Sequence, residues 1–222
     1  YDPQTDGWQP LAKMSTARGE FGLAAVGGKI YAIGGSGGYG ALESVEAYDP
    51  QLGAWAPVAS MSEKRQYHAS VVLGDKIYVM GGVGDDDDNA DGVAALDMVE
   101  VYDPLADSWQ RVASMPRGLS SLVAAAMGGK IYVTGGENNV RNSENSVCMY
   151  DPQTNTWTQL ASMSFARRCH ASAAVDGKLY VFGGMDAEEE LDSVEVYDPT
   201  SDRWTLVSSL PSACHSPAAV AL

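Results

Sequence analysis

The chain has 222 residues, 45% of them hydrophobic, and a formal charge of −15 at pH 7. That is enough apolar material for a sizeable core, yet no run approaches the roughly 18 apolar residues of a membrane-crossing helix. So acidic a chain lacks the basic face that phosphates require, which excludes nucleic acid as an expected partner; the first residues do not read as a signal peptide.

Taken in chain order, one pattern recurs. Tyr-Asp-Pro stands at Tyr1, Tyr48, Tyr102, Tyr150 and Tyr197, and a tryptophan follows each tyrosine by seven residues: Trp8, Trp55, Trp109, Trp157 and Trp204. Met14, Met61, Met115, Met163 and Leu210 come six residues after the tryptophans, and Lys29, Lys76, Lys130 and Lys178 fifteen further on. A Gly-Gly pair then ends at Gly35, Gly82, Gly136 and Gly184. Residues 1–14 read as the last strand of an interrupted unit, 15–62, 63–116, 117–164 and 165–211 as complete units, and 212–222 as the first strand of another.

Each unit reads as four short strands, A to D. Strand A is typified by His68-Ala69-Ser70-Val71-Val72 and turns through Gly74-Asp75, or through Gly27-Gly28, Gly128-Gly129 or Asp176-Gly177, the composition of tight hairpins. Strand B is Lys-Ile/Leu-Tyr-x-x-Gly-Gly, strand C resembles Val99-Glu100-Val101-Tyr102, and strand D starts at the tryptophan. Strand B is apolar at successive positions (Ile77, Tyr78, Val79, Met80), as expected of a strand covered on both faces.

The Gly-Gly, Tyr-Asp-Pro and spaced tryptophan, at a period near 50 residues, resemble the kelch repeat of β-propellers over the whole chain. The resemblance implies an all-β, kelch-type β-propeller with four complete four-stranded blades, partial strands at each end, strand A innermost and strand D outermost. Closing a six-bladed ring would take about 70 further residues at this period, so the sequence reads as a segment of a longer protein. Its incomplete blades would expose apolar faces that favour association.

Among complete units only the interval from the second glycine to the next tyrosine varies, at 13, 20, 14 and 13 residues. This is the B–C loop, which in an up-and-down blade shares one face with the D–A connection. Loops on a rigid scaffold are the usual place for recognition. The loops carry Tyr39, then Asp85, Asp86, Asp87 and Asp88, then Asn138, Asn139 and Arg141, then Glu188 and Glu189. The D–A connections add Arg18, Arg65, Arg117, Arg167 and Arg168, although Leu119 breaks the register of Arg18, Arg65 and Arg167. The wording of the repeats is closest to the BTB–kelch adaptors of cullin-RING ubiquitin ligases, in which this face holds short substrate motifs. The resemblance therefore implies a protein or peptide partner, with an actin-associated structural module as the alternative and a kelch-type enzyme as a remote one.

Other chemistry is not expected. Gly35-Ser36-Gly37-Gly38-Tyr39-Gly40 matches a dinucleotide fingerprint but precedes a strand, so no helix terminus can receive a phosphate. The run from Asp87 begins like a calcium loop but has Met98 where glutamate is required. His68 and His170 sit two units apart, with His215 beyond them, and no third ligand is near either. Cys148, Cys169 and Cys214 are odd in number and irregularly spaced, which argues against a disulfide framework or a zinc site. No serine or cysteine has a nucleophile's context. The expectation is a cytoplasmic, non-catalytic binding domain without metal or cofactor.

Overall fold

The structure, a computed structural model, describes residues 1–85 and 94–220. Four antiparallel four-stranded sheets follow one another along the chain. Blade one is β1 (Gly22–Val26), β2 (Lys29–Ile33), β5 (Val45–Asp49) and β6 (Ala54–Val58). A small hairpin, β3 (Ser36–Gly37) with β4 (Gly40–Ala41), occupies its B–C loop. Blade two is β7 (Ala69–Leu73), β8 (Lys76–Met80), β9 (Val99–Asp103) and β10 (Ser108–Val112). Blade three is β11 (Val123–Met127), β12 (Lys130–Thr134), β13 (Val147–Asp151) and β14 (Thr156–Leu160). Blade four is β15 (Ala171–Val175), β16 (Lys178–Phe182), β17 (Val194–Asp198) and β18 (Arg203–Val207).

The innermost strands β1, β7, β11 and β15 touch in succession, the arrangement of propeller blades around an axis. Three buried apolar clusters lie between adjacent blades. One joins Tyr31 and Ile33 to Ile77, Val79 and Tyr102, and its counterparts join blades two to three and three to four. Strand B is therefore covered on both faces, which is why its apolar residues do not alternate. The register is shared: Ile77 pairs with Tyr102 and Tyr102 with Trp109, and Leu179, Tyr197 and Trp204 repeat it. Each such tyrosine packs on its tryptophan, with ring centroids 5.0 Å apart in blade two and 5.2 Å in blade four.

Adjacent blades are also latched at the outer strand. Trp109 Nε1 donates to the Ala59 carbonyl (2.8 Å), while Asp107 Oδ1 accepts the Ala59 N–H (2.9 Å) and the Tyr102 hydroxyl (2.7 Å). Asn155 with Trp157, and Asp202 with Trp204, hold Ala113 and Ala161 in the same way. The four tryptophans from Trp55 to Trp204 are thus equivalent residues of the outermost strands.

The first B–C loop is an ordered hairpin, because Asp85 accepts the Ala41 N–H (2.9 Å) and fixes it. At the chain ends, residues 1–14 hold one bridge, Asp2 with Gly7, and no strand follows Val207 among the described residues; a strand needs a hydrogen-bonded neighbour.

Candidate functional site

The D–A connections and B–C loops meet at one end of the propeller, as their topology requires. Between blades two, three and four they enclose a recess of about 730 Å³. Asn138, Asn139, Arg141 and Arg168 line it together with Gln66, Tyr67, Ser120, Ser121, Glu137 and Cys169.

The floor is built by one repeated backbone conformation. Glu20, Tyr67, Ser121, Cys169 and Ser216 occupy the same register two residues after the D–A arginine position, and all are left-handed, with φ between 49° and 54°. They are joined head to tail. Tyr67 N–H donates to Glu20 O (3.2 Å), Ser121 to Tyr67 (2.8 Å), Cys169 to Ser121 (3.0 Å) and Ser216 to Cys169 (2.7 Å). A belt of main-chain hydrogen bonds therefore runs from blade to blade around the axis. The Glu20 carboxylate beside the Tyr67 hydroxyl, with partial burial, pushes it up to about 12.

Arg18, Arg65 and Arg167 do not reach this surface; their side chains are fully buried. Arg18 Nη1 donates to the carbonyls of Gly34 (2.7 Å) and Ser44 (2.9 Å), and Nη2 to Glu46 (3.0 Å). Arg167 repeats this with Gly183 (2.6 Å), Ser193 (3.3 Å) and Glu195 (2.9 Å), and Arg65 with Gly81 (3.1 Å), Met98 (3.2 Å) and Glu100 (2.8 Å). The expectation that these three belong to the partner-binding face is corrected on this ground. A guanidinium without water contact, already paired with its own carboxylate and with its one unpartnered donor, the Nε–H, itself buried, offers nothing at the surface, and withdrawing it would strand a buried charge. Its task is to satisfy carbonyls at the end of strand B. There the glycine pair comes so close to the next blade that a Cβ at Gly34 would lie 2.7 Å from Arg65 O. Burial would raise the Glu46 carboxyl, but the Ser15 hydroxyl and N–H, Arg18 and the Thr16 N–H outweigh it and hold the group at about 2.

The remaining expected residues are placed as follows. Arg117 pairs with Glu144 (3.0 Å), and Arg168 lies between Glu137 (3.3 Å) and Ser143 Oγ (2.8 Å). Asn139 Oδ1 accepts the Ala95 N–H (2.6 Å), joining the second loop to the third. Arg141 is exposed and has no ion-pair partner among the described residues. Asp85 pairs with Lys64 (3.4 Å), and Tyr39 stands fully exposed at its hairpin tip. Glu188 and Glu189 border a second recess of about 640 Å³ with Asn142 and Ser143. Asp86, Asp87 and Asp88 lie outside the described residues. Sequence reasoning missed Gln66, Tyr67, Ser120, Ser121 and Cys169. The signal was available, because they follow the arginine register by one and two residues and must share its face.

No cluster of three or more metal-ligating side chains occurs among the described residues. His68 and His170 are buried, and burial together with the charge of Arg65 or Arg167 lowers each imidazole to about 3, so both are neutral at pH 7. His170 Nε2 lies 2.8 Å from Thr134 Oγ1, whereas neither ring nitrogen of His68 has a partner.

Residues 67–222 match the KLHDC2/KLHL20/DRC7 Kelch-repeats domain, and residues 17–62 match the Kelch motif. The chain belongs to the Kelch-repeat family. It is 32% identical to Kelch-like protein 36 of Bos taurus over 136 residues, which is 61% of this chain and 14% of that protein. It is 44% identical to Kelch-like protein 33 of Homo sapiens over 48 residues, or 22% of this chain and 9% of that protein. The chain thus spans a small part of the curated relatives it matches. The solved structure titled "Structure of YjhT" superposes with a TM-score of 0.77 at 20% identity, covering 92% of this chain and 69% of that one. That likeness shows the propeller fold, and Kelch domains of this kind are protein-interaction modules.

Proposed function

We propose that this Kelch propeller is a non-catalytic binding module that holds a loop or peptide of a partner protein in the recess between blades two and four. The observation that carries the reading is the charge there. In a chain of net charge −15, two arginines face the recess against one carboxylate, Glu137, among the described residues, and Arg141 has no ion pair among them. Arginine recognises carboxylates through charge-assisted, often bidentate hydrogen bonds, so the fitting partner presents an acidic residue. The finer reading is substrate recognition for a cullin-RING ubiquitin ligase, in the cytoplasm. It is supported by the resemblance to Kelch-like proteins and by three unpaired cysteines.

Affinity capture with the chain and with an Asn139→Ala/Arg141→Ala variant tests this. Partners retained by the parent and lost by the variant support the recess. Partners indifferent to the variant but lost when the A–B turns are altered would place the working surface at the opposite end.

A further inference from the structure

On the outer rim of blade two, Arg111 of β10 donates to Ser62 Oγ (3.1 Å) and pairs with Glu63 (2.9 Å) of the connection leading into that blade. The same two registers hold Thr16 and Pro57 at blade one, Arg117 and Gln159 at blade three, and Phe165 and Leu206 at blade four. Blade four alone carries two large apolar side chains there. Glu195 brings them to one face: it is the cross-strand partner of Leu206, and its carboxylate accepts the N–H groups of Ser164 (2.7 Å) and Phe165 (3.3 Å). Trp204, two residues before Leu206 and so on the same face, packs in the cluster between blades three and four. The pair therefore lies at a seam whose two blades are both present, yet Phe165 is 40% exposed and Leu206 52%.

β18 is also the outermost strand of its sheet, with no neighbour on its outer side among the described residues. Bare edges invite pairing, and proteins guard them with proline or charge. Pro57 on β6 and Arg111 on β10 stand at the guarding register and Gln159 on β14 is polar, whereas Leu206 leaves β18 unguarded. A proline within a sheet stands where its missing N–H would point away from the ladder. Leu206 shares the register of Pro57, so its N–H points outward.

We infer that the rim of blade four is a second docking site, at which an extended, basic segment of a partner protein adds as a fifth strand on β18. One apolar side chain of the segment covers Phe165 and Leu206, and a lysine or arginine lies beyond them. The basic residue follows from charge. Ala166, next to Phe165, lines the recess of about 640 Å³ with Asp186, Glu188 and Glu189, and no basic side chain lines it among the described residues. The net charge of −15 opposes a second copy in this place and favours a basic segment. The rim site lies outside the recess between blades two and four and does not depend on the binding reading above.

The probe is a library of linear decapeptides displayed on phage and selected on the purified chain. Enriched peptides are measured by fluorescence anisotropy against three variants, with thermal unfolding alongside. Phe165→Glu/Leu206→Arg builds the blade-two pair into blade four, and Leu206→Pro the blade-one residue, so both fold; Arg141→Ala is the recess control. Peptides with alternating apolar residues and a terminal lysine or arginine are expected. Their affinity should fall about tenfold or more for either rim variant and stay within about twofold for Arg141→Ala. Hydrogen exchange across residues 203–208 should slow about tenfold on binding. Peptides that bind both rim variants as they bind the parent, or no enrichment above background, would overturn the rim site. Peptides lost only with Arg141→Ala would overturn it and support the recess, so the two readings fail separately. Loss with the double variant alone, without slower exchange at β18, would overturn the strand pairing. A parent that sediments as a dimer and is dissociated by the double variant would make the occupant a second copy and overturn the basic partner.

Discussion

Blades two and four place the same five side chains behind their inner ends, and blade three replaces all five. Blade two has Ser62, Arg65, His68, Ser70 and Glu100, and blade four has Ser164, Arg167, His170, Ser172 and Glu195. Blade three has Pro116, Leu119, Leu122, Ala124 and Cys148 in the same registers. The replacements are coordinated. In blades two and four the serine N–H donates to the glutamate, at 3.0 Å from Ser62 and 2.7 Å from Ser164; Pro116 has no N–H to leave unpaired. Leu119 stands for the arginine and Cys148 for the glutamate, within one buried apolar cluster, where burial pushes the Cys148 thiol up to about 12 and keeps it neutral. One scaffold thus tolerates two solutions to the same buried space. What it cannot tolerate is one member of the ion pair without the other, because a lone buried charge costs far more than a complete pair or an apolar replacement of both.

That difference is open to a direct break. Arg167→Leu leaves Glu195 buried without its partner and is expected to cost about 3–5 kcal/mol in urea unfolding. Adding Ser164→Pro and Glu195→Cys rebuilds three of the five blade-three residues in blade four, those that replace the ion pair and its serine donor, and should return stability to within about 1–2 kcal/mol of the parent. If the single change costs no more than the triple change, the buried ion pair does not anchor the blade.

The histidines sharpen the comparison through pH. His68 and His170 are lowered from 6.5 to about 3 in the folded chain by burial and a neighbouring arginine. Between those values the unfolded chain binds more protons, so stability rises with pH across the window and is lost as pH falls from about 6.5 toward 3. Each histidine should remove about 1 kcal/mol between pH 6 and pH 5. Glu46, depressed from 4.5 to about 2, contributes its loss only below that interval. Blade three, with Leu122, has no such dependence, so His68→Leu should flatten the urea midpoint against pH. An unchanged slope would mean that His68 is not held neutral.

The propeller was legible in the sequence because its spacing is invariant: glycine pair, tyrosine and tryptophan each mark a contact that every blade repeats. The end at which the loops meet was legible from the single interval that varies. The role of the arginines was not, since a sequence shows that Arg18, Arg65 and Arg167 share a register but not which way they point. Their partners carried the missing information. Glu46, Glu100 and Glu195 also share a register, and the one unit that loses arginine at Leu119 loses glutamate at Cys148. Such joint loss is the mark of a buried pair, whereas surface charges on a binding face vary independently. The arginine register places Tyr67, Ser121 and Cys169 on the loop face, but their left-handed backbone stayed hidden because tyrosine, serine and cysteine give it no sequence signature.

Blade one offers the opposite kind of departure, one that nothing compensates. At the latch register Asp107, Asn155 and Asp202 are left-handed, with φ of 46°, 54° and 49°, and each captures the N–H of an alanine in the preceding outer segment. Blade one has Gly53 there, at φ 64°, so Trp55 holds the Ala12 carbonyl (3.0 Å) with no side chain to take the Ala12 N–H. A Cβ at Gly53 meets nothing within 4 Å. Gly53→Asp should therefore complete the latch, giving Tyr48 Oη and the Ala12 N–H a shared acceptor and restricting the unfolded chain. The expected gain is about 1 kcal/mol, read as a higher urea midpoint. Gly53→Ala is the control, because it adds left-handed strain without an acceptor and should lose about 1 kcal/mol. If aspartate and alanine lose stability alike, the latch contributes nothing, and the repeated Asp/Asn at this register serves only the turn.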